Sequence, residues 1–89
     1  MDMTPQRWNA TTDYLTSVFG DPDDQLRTLM TRAVDAGLPD IAVDASVGRL
    51  LTLLAKTVGA HAIVEVGALA GYSAIWLARG LSSNGRLYT

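Results

Sequence analysis

The 89-residue chain is long enough for one small domain, and its hydrophobic fraction of 48% excludes an intrinsically disordered protein. A formal net charge of −2 gives no basic surface for nucleic acid, and the absence of cysteine excludes disulfide frameworks and thiolate metal sites. The sequence has no apolar run of about 18 residues and no signal-peptide pattern at its start, which predicts a cytoplasmic protein without a membrane partner.

The first 40 residues predict two amphipathic helices. Thr4 and Pro5 pair a hydroxyl cap with a proline at the first helical position, and Gly20 ends the first helix. Residues 21–24, Asp-Pro-Asp-Asp, repeat the start signal, and Gly37 ends the second helix. Apolar stripes at helical spacing predict a packing surface on each helix. The stripes are Trp8, Thr12, Leu15 and Phe19, flanked by Tyr14 and Val18, in the first helix, and Leu26, Leu29, Met30, Ala33 and Val34 in the second.

A short extended segment, residues 41–46, leads into a third predicted helix that runs to about Val58 and is closed by Gly59. Either Asp44 or Ser46 can cap the N-terminus of this helix, because both side chains carry an oxygen that accepts a backbone N–H. The apolar spacing places five residues on one face of this helix. The residues of that face are Val47, Leu50, Leu51, Leu54 and Val58.

A strand, a glycine turn and a helix follow in that order. The β-branched run Ile63-Val64, with Val66, predicts a buried parallel strand over residues 62–66. The turn is bounded by Gly67 and Gly71, the fourth helix covers about residues 72–81, and a second strand begins at residue 86 after a turn at residues 82–85. This order places backbone N–H groups at the carboxyl end of a strand, where open α/β sheets bind their ligands.

The pattern Glu-x-Gly-x-x-x-Gly-Tyr-Ser at residues 65–73, after an apolar strand, resembles the first motif of S-adenosylmethionine-dependent O-methyltransferases of the catechol O-methyltransferase-like group. The similarity extends to Ile-Ala-Val at residues 41–43 and to the helix after the motif. It implies an α/β fold in which N-terminal helices precede the first βαβ unit of a class I methyltransferase Rossmann-like fold. Residues 1–40 would form the helical segment, and residues 41–89 the start of the cofactor-binding domain.

The resemblance also implies a cofactor site. Its residues would be Glu65, Gly67, Ala68, Gly71, Tyr72 and Ser73, with Val43 and Ile41 passing over the methionine end of S-adenosylmethionine. Each has a simpler interpretation: an ordinary strand-to-helix turn, a solvated acid for Glu65, core packing for Ile41 and Val43, and a helix cap for Ser73. In the functional interpretation, Ser73 donates its hydroxyl to the cofactor carboxylate, and Glu65 meets the cationic amino-acid end or a bridging water.

The implied activity is methyl transfer to a hydroxyl of a small phenolic or catechol-type acceptor. The resemblance allows a divalent cation, Mg²⁺, but this chain contains neither the metal ligands nor the catalytic base of the family. Because the sequence stops as the second strand begins, we expect it to be the N-terminal part of a larger enzyme, inactive and unstable as a monomer by itself. The family commonly dimerises, and the exposed strand faces of Ile63, Val64 and Val66 also predict a homo-oligomer.

Two alternatives stay open at this point. The first is an NAD-type nucleotide-binding Rossmann protein, whose fingerprint needs a glycine two residues after the first; Leu69 occupies that position here. The second is a non-catalytic oligomerising fragment. A comparison of S-adenosylmethionine binding with NAD binding would separate the alternatives.

Overall fold

The computed structural model describes residues 2–20 and 23–89. Within these ranges, three helices precede a parallel βαβ unit, as predicted. The elements are α1 (Pro5–Phe19), α2 (Asp24–Asp35), α3 (Ala45–Thr57), β1 (Ala62–Val64), α4 (Tyr72–Ala78) and β2 (Arg86–Tyr88). Ala62, Ile63 and Val64 pair with Arg86, Leu87 and Tyr88, respectively. The first half of the predicted second start signal, at positions 21 and 22, lies outside the described residues.

The first two helices begin with side-chain caps. Thr4 Oγ1 accepts the N–H of Arg7 at 3.2 Å, and an oxygen of Asp23 accepts the N–H of Leu26 at 3.1 Å. Asp23 also forms an ion pair with Arg79 at 2.6 Å, which ties the start of α2 to the end of α4. The Leu26 amide, followed by the Arg79 guanidinium, lowers the pKa of Asp23 below its ordinary value.

The hydrophobic core lies between α2 and α4. Leu26, Tyr72 and Trp76 are buried together, and five partly buried side chains pack against them: Leu29, Met30, Ala42, Ala45 and Ile75. The stripe predicted on α1 is not part of this core. Within residues 5–19, all of which the structure describes, no side chain is buried, and Trp8 is 59% exposed.

The apolar face of α3 is largely exposed, with Leu51 half-buried. Val47, Leu50, Leu54 and Val58 are exposed, whereas Gly48 and Ala55 are buried. The small residues face α4, where they allow the two helices to approach closely, and Thr52 between them donates a hydrogen bond to the carbonyl of Trp76 at 2.6 Å. Asp44 occupies the N-cap position, although its side chain makes no capping hydrogen bond in the structure as described.

Two elements are shorter than predicted. The predicted strand over residues 62–66 ends at Val64, the last residue of β1 that pairs with β2. The helix predicted over residues 72–81 ends at Ala78, where the N–H of Gly80 donates to the carbonyl of Leu77 and the last turn tightens. The predicted burial of this strand is wrong for the described chain: Val64 and Val66 are 76% and 96% exposed, and Ile63 is half-buried. The two valines agree with the expectation of exposed strand faces in a sheet of two strands.

Candidate functional site

The turn between β1 and α4 has an unusual backbone. Gly67 and Gly71 have φ values of +93° and +89°, and Leu69 between them has +46°. A side chain at either glycine would be strained by the backbone, because L-residues rarely adopt such values. Crowding is not the reason, since beyond the adjacent residues no described atom lies within 4 Å of where a Cβ would stand at either position. The turn therefore exposes its backbone to open space.

Six of the eight predicted cofactor residues line one cavity of about 330 Å³. They are Ile41, Val43, Gly67, Ala68, Tyr72 and Ser73, and the lining is completed by Ala42 and Leu69, which were not predicted from the sequence. Residues 41–43 form one wall and the turn forms the other, while Gly71 ends the turn outside the lining. Ile41 is 73% exposed and Val43 38% exposed, so neither side chain is buried in the described chain.

Glu65 lies behind this cavity rather than in its lining. The hydroxyl of Ser73 donates to Glu65 Oε2, and the hydroxyl of Thr89 donates to Glu65 Oε1 at 2.9 Å. A simple solvated acid is therefore the wrong description of Glu65. Thr89 was not predicted, although the strand register contains the signal: a residue just after β2 is brought beside a residue just after β1.

Ser73 does not cap α4. The N-cap residue is Gly71, and Ser73 lies within the first helical turn, so the helix-cap interpretation is wrong. Because a hydroxyl has one proton and Ser73 gives it to Glu65, its oxygen lone pairs are what it can offer to the cavity that it lines. Donation to a carboxylate of a ligand would require this proton to change partner.

Tyr72 joins the cavity to the core. Its side chain is 7% exposed and packs with Leu26 and Trp76, while the residue also lines the cavity. A second cavity of about 500 Å³ lies between α1, α2 and the segment before α3, and it shares Ala42, Val43 and Tyr72 with the first. The segment at residues 42–43 therefore borders both spaces.

The described parts of the chain offer no site for a metal ion. In residues 2–20 and 23–89 there is no group of three or more histidine or acidic side chains that could hold one.

No helix in residues 2–20 and 23–89 is long and apolar enough to cross a membrane.

Comparison with known proteins identifies the family. The profile of the family described as O-methyltransferase matches residues 16–89. The chain is 41% identical over 87 residues to a catechol O-methyltransferase of Niastella koreensis, covering 98% of this chain and 39% of that protein. It is 41% identical over 76 residues to the catechol O-methyltransferase of Mycobacterium tuberculosis, covering 85% of this chain and 34% of that protein.

Solved structures agree with this result. The O-methyltransferase from Bacillus cereus in complex with SAH superposes with a TM-score of 0.86 at 41% identity over 92% of this chain and 37% of that one. The O-methyltransferase TomG from Streptomyces achromogenes in complex with SAM gives 0.84 at 42% identity over 97% and 39%, respectively. The chain thus spans under two-fifths of the length of these relatives and matches the N-terminal portion of class I methyltransferase structures. It belongs to the O-methyltransferase family.

Proposed function

We propose that the complete protein containing this chain transfers a methyl group from S-adenosylmethionine to a hydroxyl of a small phenolic or catechol-type acceptor. One observation carries the proposal: residues 41–43 and residues 67–69 of the turn, which are separated in sequence by the whole of α3 and β1, line one cavity. Relatives with 41% and 42% identity were solved with SAH and SAM bound, which supports this choice of ligand.

The described residues fit the methionine end of this cofactor. A cavity of about 330 Å³ lies at the lower end of the range of about 300–1,000 Å³ for small-molecule sites. Gly67 brings bare backbone to its wall, and Ser73, hydrogen-bonded to the Glu65 carboxylate behind it, adds a side with oxygen lone pairs and nearby negative charge that suits a cationic ammonium group. Val43 would cover the ligand from the opposite wall.

The bound cofactor supplies a methyl group activated by its positively charged sulfur. The contribution of this chain is to hold the donor in one position, so that the acceptor oxygen approaches in line with the bond that breaks. The described residues do not fit a divalent cation, because no acidic or histidine cluster among them could bind one. The ligands for the expected Mg²⁺ would have to come from other parts of the complete protein.

Calorimetric titration of the complete protein tests the cofactor. We expect binding of S-adenosylmethionine and no heat with NAD, because Leu69 occupies the position where a dinucleotide fingerprint needs glycine. Binding of NAD alone would favour the first alternative function, and binding of neither ligand would favour the second, a non-catalytic oligomerising role. Methylation of a catechol by the complete protein, with Mg²⁺ present, tests the acceptor class.

We also propose that the complete protein is a homodimer. What supports this is the apolar groove of about 260 Å³ between α1 and α3, lined by Leu15, Phe19, Val47, Leu50 and Leu53 together with Ser46 and Arg49. A second copy of the chain would remove these apolar side chains from water. Sedimentation equilibrium of the complete protein is expected to give twice the chain mass, and a monomer at micromolar concentration would contradict the proposal.

A further inference from the structure

The Glu65 carboxylate is held from two sides. Ser73, in the first turn of α4, donates to one oxygen, and Thr89, just after β2, donates to the other at 2.9 Å. A glutamate side chain has three rotatable bonds, so fixing both oxygens selects one orientation among many. Three consecutive elements of the βαβ unit thus converge on this group.

The strand register explains how Thr89 reaches Glu65. Val64 pairs with Tyr88 in the parallel ladder, and the N–H of Glu65 donates to the carbonyl of Tyr88 at 2.8 Å. Glu65 directly follows Val64, and Thr89 directly follows Tyr88, so the two residues stand at matched positions just after the paired strands. Because side chains alternate between the faces of a sheet, residues at matched positions project to the same side. The Thr89 hydroxyl is therefore presented to the carboxylate by the backbone.

The three residues differ in their relation to the cavity. Ser73 lines it, Glu65 lies one hydrogen bond behind Ser73, and Thr89 lies one hydrogen bond behind Glu65. We propose that Thr89 is a positioning residue for cofactor binding that acts through Glu65. The inference rests on the proposed function, since it assumes that the cavity binds the methionine end of S-adenosylmethionine.

A purely structural role for Thr89 leads to a different expectation. Threonine is β-branched and suits the end of a strand by shape alone. If shape were its role, Thr89→Val would preserve the function and Thr89→Ser would impair it. If the hydroxyl is what matters, the order reverses, because serine keeps the donor and valine removes it. The two variants therefore separate the explanations.

The experiment measures the affinity of the complete protein for S-adenosylhomocysteine by calorimetry, together with KM for S-adenosylmethionine and kcat. We expect Thr89→Val to weaken binding about five-fold and to raise KM by a similar factor at unchanged kcat, the scale of one hydrogen bond. Thr89→Ser is expected to stay within about two-fold of the wild type, because it keeps the donor. In a Glu65→Ala background, Thr89→Val should have no further effect, since its partner is gone.

Three outcomes would overturn the inference. Wild-type affinity in Thr89→Val would show that the hydroxyl is dispensable, and equal losses in Thr89→Ser and Thr89→Val would indicate a role of shape. A full additional loss in the Glu65→Ala background would show that Thr89 does not act through Glu65. Absence of binding by the wild-type protein would instead overturn the proposed function, and this inference with it, so the two failures are distinguishable.

Discussion

Two pairs of glycines in this chain serve opposite physical requirements. At Gly48 and Gly80, where α3 packs against α4 and the turn that follows it, a Cβ has no room. A Cβ on Gly48 would overlap the Trp76 indole, and one on Gly80 would lie 2.6 Å from the carbonyl oxygen of Thr52. At Gly67 and Gly71 a Cβ would have ample room, but the backbone φ values of +93° and +89° favour glycine.

The difference shows how packing and function share the small scaffold. The first pair allows two helices to approach closely and fixes α4, whose first residue Tyr72 anchors the turn in the core. The second pair leaves backbone exposed to open space beside the cavity. Gly48 and Gly80 are explained by close packing, whereas Gly67 and Gly71 are explained by a backbone conformation that favours glycine, and that conformation shapes the turn beside the cavity.

The largest expected effect on stability comes from a substitution in the first pair of glycines. Alanine in place of glycine within a helix ordinarily stabilises it by about 1 kcal/mol. We expect Gly48→Ala to lower the free energy of unfolding of the complete protein by about 2–3 kcal/mol instead, because the added methyl overlaps Trp76. Urea unfolding measures the change, and Lys56→Ala, on an exposed site of the same helix, is the control. A neutral or stabilising Gly48→Ala would show that the two helices are not closely packed there.

The second pair is tested by comparing Gly67 with a glycine of matched backbone, Gly37. Their φ values are +93° and +95°, and a Cβ at either position would meet open space. We expect alanine at either site to lower the free energy of unfolding by about 1–2 kcal/mol through backbone strain. Only Gly67→Ala should also weaken S-adenosylmethionine binding, by about ten-fold or more, and Gly67→Val should abolish it. Equal affinities of the two alanine variants would place the site elsewhere.

Two hydroxyl groups test the same distinction between packing and cofactor binding, with smaller expected effects. Thr52 donates to the Trp76 carbonyl between the packed helices, and Ser73 donates to Glu65 at the cavity. We expect Thr52→Val to lower the free energy of unfolding by about 1 kcal/mol without changing cofactor affinity. Ser73→Ala should weaken the affinity about five-fold. Calorimetry and urea unfolding of both variants measure the two quantities, and a reversed pattern would refute the assignment.

The smallest expected effect concerns pH. The Leu26 amide and the Arg79 guanidinium lower the pKa of Asp23, so Asp23 binds protons less readily in the folded chain than in the unfolded chain. Its contribution to stability is present above its unfolded pKa and is lost as the pH falls through its folded pKa. Asp23→Ser keeps a neutral cap, and it should therefore lose less stability than the wild type between about pH 5 and pH 3. Parallel acid dependences would contradict this role for Asp23.

Much of the fold could be predicted because local signals determine it. Thr4-Pro5 and Gly20 mark the ends of α1, and the β-branched run followed by two glycines marks the βαβ unit. The packing face of α3 could not be predicted from hydrophobicity, since Gly48 and Ala55 are buried for their small size while Leu50 and Leu54 are exposed. Helix periodicity shows which residues share a face, but the shape of the partner decides which face is buried.

The candidate site shows the same limit. The motif at residues 65–73 and the segment at residues 41–43 stand out in the sequence, and the structure brings Val43 and Gly67 to one cavity. The link between Glu65 and Thr89 depends on strand register, which is a property of the folded sheet rather than of local sequence. A residue such as Thr89, which is proposed to act through Glu65, is therefore harder to find from a sequence motif than a residue that lines the cavity.

The methionine end of the cofactor is proposed to lie between Val43 and the turn from Gly67 to Gly71. A crystal structure of the complete protein with S-adenosylhomocysteine tests this most directly. We expect the amino-acid end of the ligand in the cavity of residues 41–43 and 67–73, in contact with the backbone of Gly67 and with Ser73. A ligand bound elsewhere, with this cavity empty, would contradict the proposed site.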